Sequence, residues 1–298
     1  MSALYGAIEA GGTKFVCAVG HGPNEILEEV RFPTTNPKDT LQKTIQFFKE
    51  QEEKRKQKIS AMGIGSFGPL DPVLTSDTYG YITSTPKKGW QNTDFIGTMK
   101  EHFPIPMVFD TDVNGAALGE GEWGAAKGCH NFIYLTIGTG IGGGIVIDGK
   151  PLQGLIHPEV GHMLITKADN DNYKGTCPFH ENCWEGLAAG PALEGRWNMP
   201  GKDLPSDHEA WNLEAEYIAQ GLTNLLMILS PEKIILGGGV MHQRHLFTKV
   251  RELVKKKAAD YISHPHLKGD LSNWIVPPQL EDLAGITGAF ILALRASQ

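Results

Sequence analysis

Two aspartates, Asp110 and Asp112, stand in the run FDTDVNGAALGE at residues 109–120. They end a predicted strand over 107–110, just ahead of a predicted helix over 113–126. A carboxylate at the C-terminal end of such a strand projects into the crevice where α/β proteins bind ligands. Transfer of a phosphoryl group to an alcohol needs a base that accepts the hydroxyl proton. Asp112 is the better placed of the two for that task, with Asn114 available to hydrogen-bond the same substrate. The competing role for Asp112 is structural, as the N-cap of the helix that follows.

Glycine clusters supply the second kind of chemistry. Gly138, Gly140 and Gly143 fall at G-x-G-x-x-G spacing within YLTIGTGIGGGIVIDG, residues 134–149. A dinucleotide fingerprint requires a helix after the glycines, whereas Gly144-Ile145-Val146-Ile147 favours a strand, so that reading fails on context. The stretch instead matches an earlier one. IEAGGTKFVCAVG (8–20) and TIGTGIGGGIVIDG (136–149) share the plan apolar strand, Gly/Thr turn, apolar strand. Two copies predict two halves built alike, each presenting a hairpin turn whose backbone N–H groups converge on an anion. Thr13, Lys14 and Thr139 beside those turns add the hydroxyls and the ammonium that phosphate oxygens accept. A third cluster, Gly237 to Gly239 in KIILGGGVM, follows a strand and precedes a predicted helix over 245–262. It suits the other end of a nucleotide.

A third kind of chemistry lies in TCPFHENCWEG, residues 176–186. Cys177, His180 and Cys183 form C-x2-H-x2-C, with His162 or His157 upstream as a fourth donor. Two thiolates with imidazoles in a closed set describe a structural zinc site. The polar segment 168–176 reads as irregular and would gain from a metal staple. Cys17 and Cys129 sit beside apolar strands and read as inert.

These groups need a scaffold, and the periodicity supplies one. Strands are predicted over 4–9, 14–19, 59–65, 107–110, 132–137 and 144–147, and a helix starts at Asn36-Pro37 with Leu41, Ile45 and Phe48 on one face. The 298 residues carry a net charge of −7, and the one basic run, Lys255 to Lys257, lies on a predicted helix. That balance excludes a sequence-independent grip on nucleic acid. No stretch reads as a membrane span or a signal peptide, and four cysteines do not make a disulfide framework, so a cytoplasmic enzyme is expected.

Taken together, these motifs resemble the ROK family (repressors, uncharacterised frames and sugar kinases), of the actin/hexokinase-like ATPase fold. The resemblance runs almost end to end. It is carried by AGGTK at 10–14, GIGSFGPLD at 63–71, TPKKGW at 85–90 and DTDVNGAALGE at 110–120. It continues in TIGTGIGGGIV at 136–146, HPEVGH at 157–162, CPFHENCWEG at 177–186 and ILGGGVM at 235–241. Within the family the chain is similar to bacterial zinc-containing fructokinases.

The resemblance implies an α/β fold of two similar domains flanking a nucleotide and sugar cleft. It places the first domain at 1–115, with a C-terminal helix over about 285–298 packing back on it. The second would span 116–284 and carry a zinc-binding insertion at 157–186. It further implies ATP-dependent phosphorylation of a hexose, D-fructose to D-fructose 6-phosphate, with Asp112 as base. A hexokinase of broader specificity for mannose or glucose is the enzymatic alternative, and a catalytically silent sugar sensor the non-enzymatic one. ATP would meet Gly11, Gly12, Thr13, Lys14, Gly138, Thr139, Gly140, Gly190, Pro191, Gly237, Gly238 and Gly239. Sugar would meet Gly89, Trp90, Asp112, Asn114, Glu159 and His162. Zinc would be held by His162, Cys177, His180 and Cys183, and Mg2+ would accompany ATP. A homodimer is expected, with neither nucleic acid nor membrane as partner. Many relatives carry Asp where this chain has Glu9, and many hold zinc with one His and three cysteines where this chain has His180. The repressor branch adds a DNA-binding domain before the first hairpin, where this chain begins, so that branch is not expected.

Overall fold

The computed structural model describes residues 2–297. The chain divides into two compact units. The first comprises Met1–Trp123, Pro151–Pro158 and Leu280–Gln298, and the second Gly124–Lys150 and Glu159–Gln279.

In the first unit, β1 (Leu4–Ala10), β2 (Lys14–Gly22), β3 (Glu25–Pro33), α1 (Pro37–Arg55) and β4 (Ile59–Ser66) come first. The short pair β5 (Tyr81–Ile82) and β6 (Thr93–Asp94) follows, then α2 (Phe95–Lys100), β7 (Met107–Thr111) and α3 (Asp112–Trp123). The main sheet has the order β3-β2-β1-β4-β7, antiparallel through the hairpins and parallel from β1 to β7. Strand alternation sorts its two faces. Phe15 and Cys17 of β2 join Leu41, Ile45 and Phe48 of α1 in one core, whereas Val16 and Ala18 join Ile286, Ala289 and Phe290 in another. Asn36 caps α1, its side chain accepting from the Asp39 amide at 2.9 Å, and Pro37 occupies the first turn.

The second unit contains β8 (Phe132–Ile137), β9 (Ile141–Ile147) and β10, which starts at its last residue before the crossing (Lys150–Pro151). Helices α4 (Trp184–Ala188), α5 (Gly190–Trp197) and α6 (Ala210–Leu229) follow, then β11 (Lys233–Gly237), α7 (Leu246–Ala258) and β12 (Ile275–Val276). Its sheet has the order β10-β9-β8-β11-β12. Position by position this repeats the first sheet, hairpin first and parallel strands after, as the duplicated Gly/Thr turn predicts. The last helix, α8 (Ala284–Ala296), belongs to the first unit and packs on β1, β4 and α3.

Three details differ from the sequence expectation. The boundary placed after residue 115 falls instead after Trp123, because α3 is unbroken and crosses α8 at two glycines. A side chain on Gly288 would meet the Gly115 carbonyl oxygen at 1.7 Å, so only glycine permits the crossing. The first residues of the expected insertion, His157 and Pro158, group with the first unit rather than the second. The helix expected over 245–262 stops at Ala258, where Ala259 turns left-handed and donates to the Lys255 carbonyl.

Candidate functional site

The first unit positions three carboxylates near the ends of β1 and β7, the two strands that flank β4. β1 ends beside Glu9, and β7 delivers Asp110 and Asp112. Thr111, not Asp112, caps α3: its hydroxyl accepts from the Asn114 amide at 3.0 Å. The structural role weighed for Asp112 is therefore filled by its neighbour. Asp112 keeps one local bond, from the Val113 amide at 2.9 Å. Burial pushes its carboxyl up to about 6, the bond from Val113 only partly opposing this. Glu9 is pushed up to about 7, by burial first and by the Asp112 charge second, against the pull of Lys14.

Asp110 does a different job. Its Oδ1 accepts from the Thr111 amide and from Asn114 Nδ2, both at 2.7 Å, and it is 4% exposed. Asn114 is turned inward, 1% exposed, its Nδ2 held by Asp110 and its Oδ1 buried without a hydrogen-bond partner. Trp90 is enclosed as well. It is fully buried, stacks its edge on Phe67 and donates from its indole to the Thr35 carbonyl at 2.7 Å. Gly89, at φ 85°, remains exposed beside it.

The hairpin Gly11 to Lys14 is tight, with the Gly11 amide donating to the Lys14 carbonyl at 2.9 Å. Thr34 braces it, accepting nothing from the tip: its hydroxyl donates to the Gly11 carbonyl at 2.6 Å. Thr13 and Lys14 are left exposed.

The second unit holds a cavity of 430 Å³, a size that suits a bound small molecule. It gathers Gly138, Thr139, Gly190, Pro191 and Gly239 from the expected nucleotide set. Leu193, Glu194, Pro200, Gly201, Lys202, Trp211, Val240 and Gln243 complete its walls, none of them flagged by the sequence. Gly140, Gly237 and Gly238 lie outside the lining. Gly238, at φ 88°, instead brings the end of β11 against the Ile137 backbone. The hairpin tip is fixed from the α5 side, where the Gly190 amide donates to the Gly138 carbonyl at 2.7 Å.

His162, Cys177, His180 and Cys183 come together in the second unit, their donor atoms all within 4.8 Å of one another. Cys177 Sγ lies 3.8 Å from His162 Nδ1 and 3.6 Å from His180 Nδ1. A tetrahedral ion with sulfur at about 2.3 Å and nitrogen at about 2.1 Å has S···N edges of roughly 3.6 Å, so the donors fit one. With Nδ1 turned to the cluster, His162 presents Nε2 on its opposite edge. Glu159 shares the same single turn, its carbonyl accepting from the His162 amide at 3.0 Å. His157, the other candidate donor, is excluded: it is buried in the first unit and its Nε2 accepts from the Leu70 amide at 3.2 Å.

The surrounding loop is held by more than these four residues. Residues on either side of the cluster pair at Leu164 and Cys183, and the Trp184 amide donates to the Met163 carbonyl at 2.8 Å. Asp171, nearly fully buried, accepts from Arg196 Nε at 3.2 Å and Nη2 at 3.0 Å and from the Tyr217 hydroxyl. This anchors the irregular segment to α5 and α6. Among the described residues, no helix is long and apolar enough to cross a membrane.

Known proteins resemble this chain over nearly its whole length. A Streptococcus mutans protein named fructokinase is 46% identical over 290 residues, 96% of each chain. A Zymomonas mobilis fructokinase is 45% identical over 296 residues, 98% of this chain and 97% of that one. Among solved structures, a ROK hexokinase from Thermus thermophilus superposes with a TM-score of 0.79 at 26% identity, over 98% of both chains. The duplicated sheets are those of the actin/hexokinase-like ATPase fold, the ROK family signature extends over residues 5–296, and the chain belongs to the ROK family.

Proposed function

We propose that the protein transfers the γ-phosphoryl group of ATP to D-fructose, giving D-fructose 6-phosphate and ADP. The observation that carries the chemistry is Asp112, a carboxylate at a strand end whose burial raises its proton affinity into the working range of a base. The choice of fructose follows the relatives named fructokinase, which are 44–49% identical to this chain. A coupled assay of ADP release with fructose, mannose and glucose tests it. Fructose is expected to give the highest kcat/KM, equal values for all three would favour a broad hexokinase, and no release would favour a sugar sensor.

In this reading Asp112 takes the proton of the 6-hydroxyl as that oxygen bonds to the γ-phosphorus. The bond from phosphorus to the β,γ-bridging oxygen breaks, and ADP leaves. Lys14 and the turn Gly11 to Thr13 in the first unit, and the turn Gly138 to Gly140 in the second, are each assigned to phosphate, and Mg2+ would come with the nucleotide. The pocket lined by Thr139, Gly190, Pro191 and Gly239 takes the nucleotide. Glu159 and His162 Nε2 take sugar hydroxyls. Zinc fits the His162, Cys177, His180 and Cys183 donors, where it would fix the tautomer and aim of the His162 ring. The protein is further proposed to be a homodimer, read directly by light scattering.

Two predictions arise here. Activity should fall as pH drops through about 6, because protonated Asp112 cannot accept the sugar proton. A kcat/KM profile flat from pH 8 to 5 would contradict that assignment. Thr139→Val should raise KM for ATP by about 2- to 12-fold, the loss of one ordinary hydrogen bond, with KM for fructose little changed. A rise confined to fructose would remove Thr139 from the nucleotide site.

A further inference from the structure

The cavity of the second unit has a carboxylate in its wall that the phosphates of a nucleotide would repel. Glu194 stands on α5, three residues after Pro191 and four after Gly190. It therefore lies one helical turn, about 5.4 Å along the axis, beyond the start of that helix. The helix start is the phosphate end of the cavity in the proposed reaction, because the Gly190 amide holds the Gly138 carbonyl at 2.7 Å. Glu194 is exposed, and among the described residues no hydrogen bond or ion pair claims its carboxylate. An ionised carboxylate only accepts hydrogen bonds. Its position favours a ligand that brings donors there and keeps its negative charge one turn away.

The remaining walls form a flat apolar slot. Leu193, Trp211 and Val240 are buried side chains of the lining, and Pro191 and Pro200 add two rings. Trp211 is pinned in place: its indole donates to the Pro205 carbonyl at 2.7 Å, and the His245 ring meets it edge-on at 5.2 Å. The turn that carries Lys202 folds onto the same ring. A side chain on Gly201 would meet Leu193 Cδ1 at 3.3 Å and the Trp211 ring at 3.6 Å, and the Leu204 amide donates to the Gly201 carbonyl at 3.3 Å. Such a slot suits the face of a nucleobase. Between base and phosphates a nucleotide presents its ribose, whose two neighbouring hydroxyls match the two oxygens of a carboxylate. Acidic residues read ribose in this way in dinucleotide-binding folds.

We propose that Glu194 reads the ribose of the phosphoryl donor, so that the protein selects ribonucleoside triphosphates over donors that lack the sugar diol. This rests on the reading that the cavity takes the nucleotide. Calorimetric titration with ATP and with 2′,3′-dideoxy-ATP, alongside amide hydrogen exchange, tests both. In the wild-type protein, ATP should slow exchange over 138–140 and 200–204. ATP that binds without doing so would place the nucleotide elsewhere, whatever Glu194 does. The wild-type Kd should be at least about tenfold lower for ATP than for the dideoxy analogue, the scale of hydrogen bonds to a charged acceptor. Glu194→Ala should raise Kd for ATP by at least about tenfold and move that for the analogue by less than about twofold, so that the preference disappears. KM for fructose should stay within about twofold, and kcat at saturating ATP near wild type. Glu194→Gln keeps the size and one acceptor oxygen and should retain part of the preference. Equal weakening of ATP and the analogue in Glu194→Ala would make Glu194 a support of the cavity wall and overturn the proposal. Unchanged preference in that variant, or tighter ATP once the negative charge is gone, would overturn it as well.

Discussion

Asp112→Asn is expected to lower kcat by about 10²–10⁴-fold, the usual contribution of a general base. The substitution preserves size, and an asparagine Oδ1 can still accept from the Val113 amide that Asp112 now engages at 2.9 Å. Binding of ATP and fructose, measured by calorimetry, should therefore change little, and the loss should appear in kcat. Thermal stability should hold as well, because the change removes a carboxyl whose charged form burial disfavours. Asp110→Asn provides the contrast. Asp110 is locked by Thr111 and Asn114, so its replacement should disturb the turn into α3 more than the chemistry. If Asp112→Asn kept more than about a tenth of wild-type kcat, Asp112 would not be the base.

Removal of the proposed zinc is the second large expected effect. Chelation, or Cys177→Ser, should release the ion, lower the melting temperature and raise KM for fructose by at least about tenfold. The reason is geometric. His162 Nδ1 lies 3.8 Å from Cys177 Sγ, so the ring's aim would depend on the zinc proposed between those two atoms. Asp171, bound to Arg196 and Tyr217, should keep the middle of the loop in place, so partial unfolding rather than global loss is expected. Elemental analysis of protein purified without added metal should find one zinc per chain. A fully active preparation with far less would exclude a role for the ion.

The parts of the site that the sequence revealed are those whose chemistry is local. C-x2-H-x2-C announces three candidate donors within seven residues, and the Gly/Thr turns announce themselves twice at the same point of two hairpins. What stayed hidden depends on partners far apart in the chain. Glu185 reaches Ile141 across 44 positions, and Leu70 claims His157 across 87. Neither has a local signature. Asn114 and Trp90 likewise have contacts that the sequence did not announce, Asn114 to Asp110 and Trp90 to the Thr35 carbonyl. Helix α6 escaped notice because Ala210–Leu229 is apolar around most of its circumference and starts without a side-chain cap. A helix covered on several sides loses the one-faced pattern by which helices are recognised. β3 is the reverse case, a half-buried edge strand with Glu25, Glu28, Glu29 and Arg31 breaking its alternation.

The position of phosphorylation tests the account most directly. ATP and D-fructose are incubated with the protein, and the product is offered to a phosphoglucose isomerase coupled to glucose 6-phosphate oxidation. The account predicts one isomerase-competent product per ADP released, and that the rate of its formation falls by about 10²–10⁴-fold in Asp112→Asn. ADP release with no isomerase-competent product, or with phosphate on another hydroxyl, would contradict it.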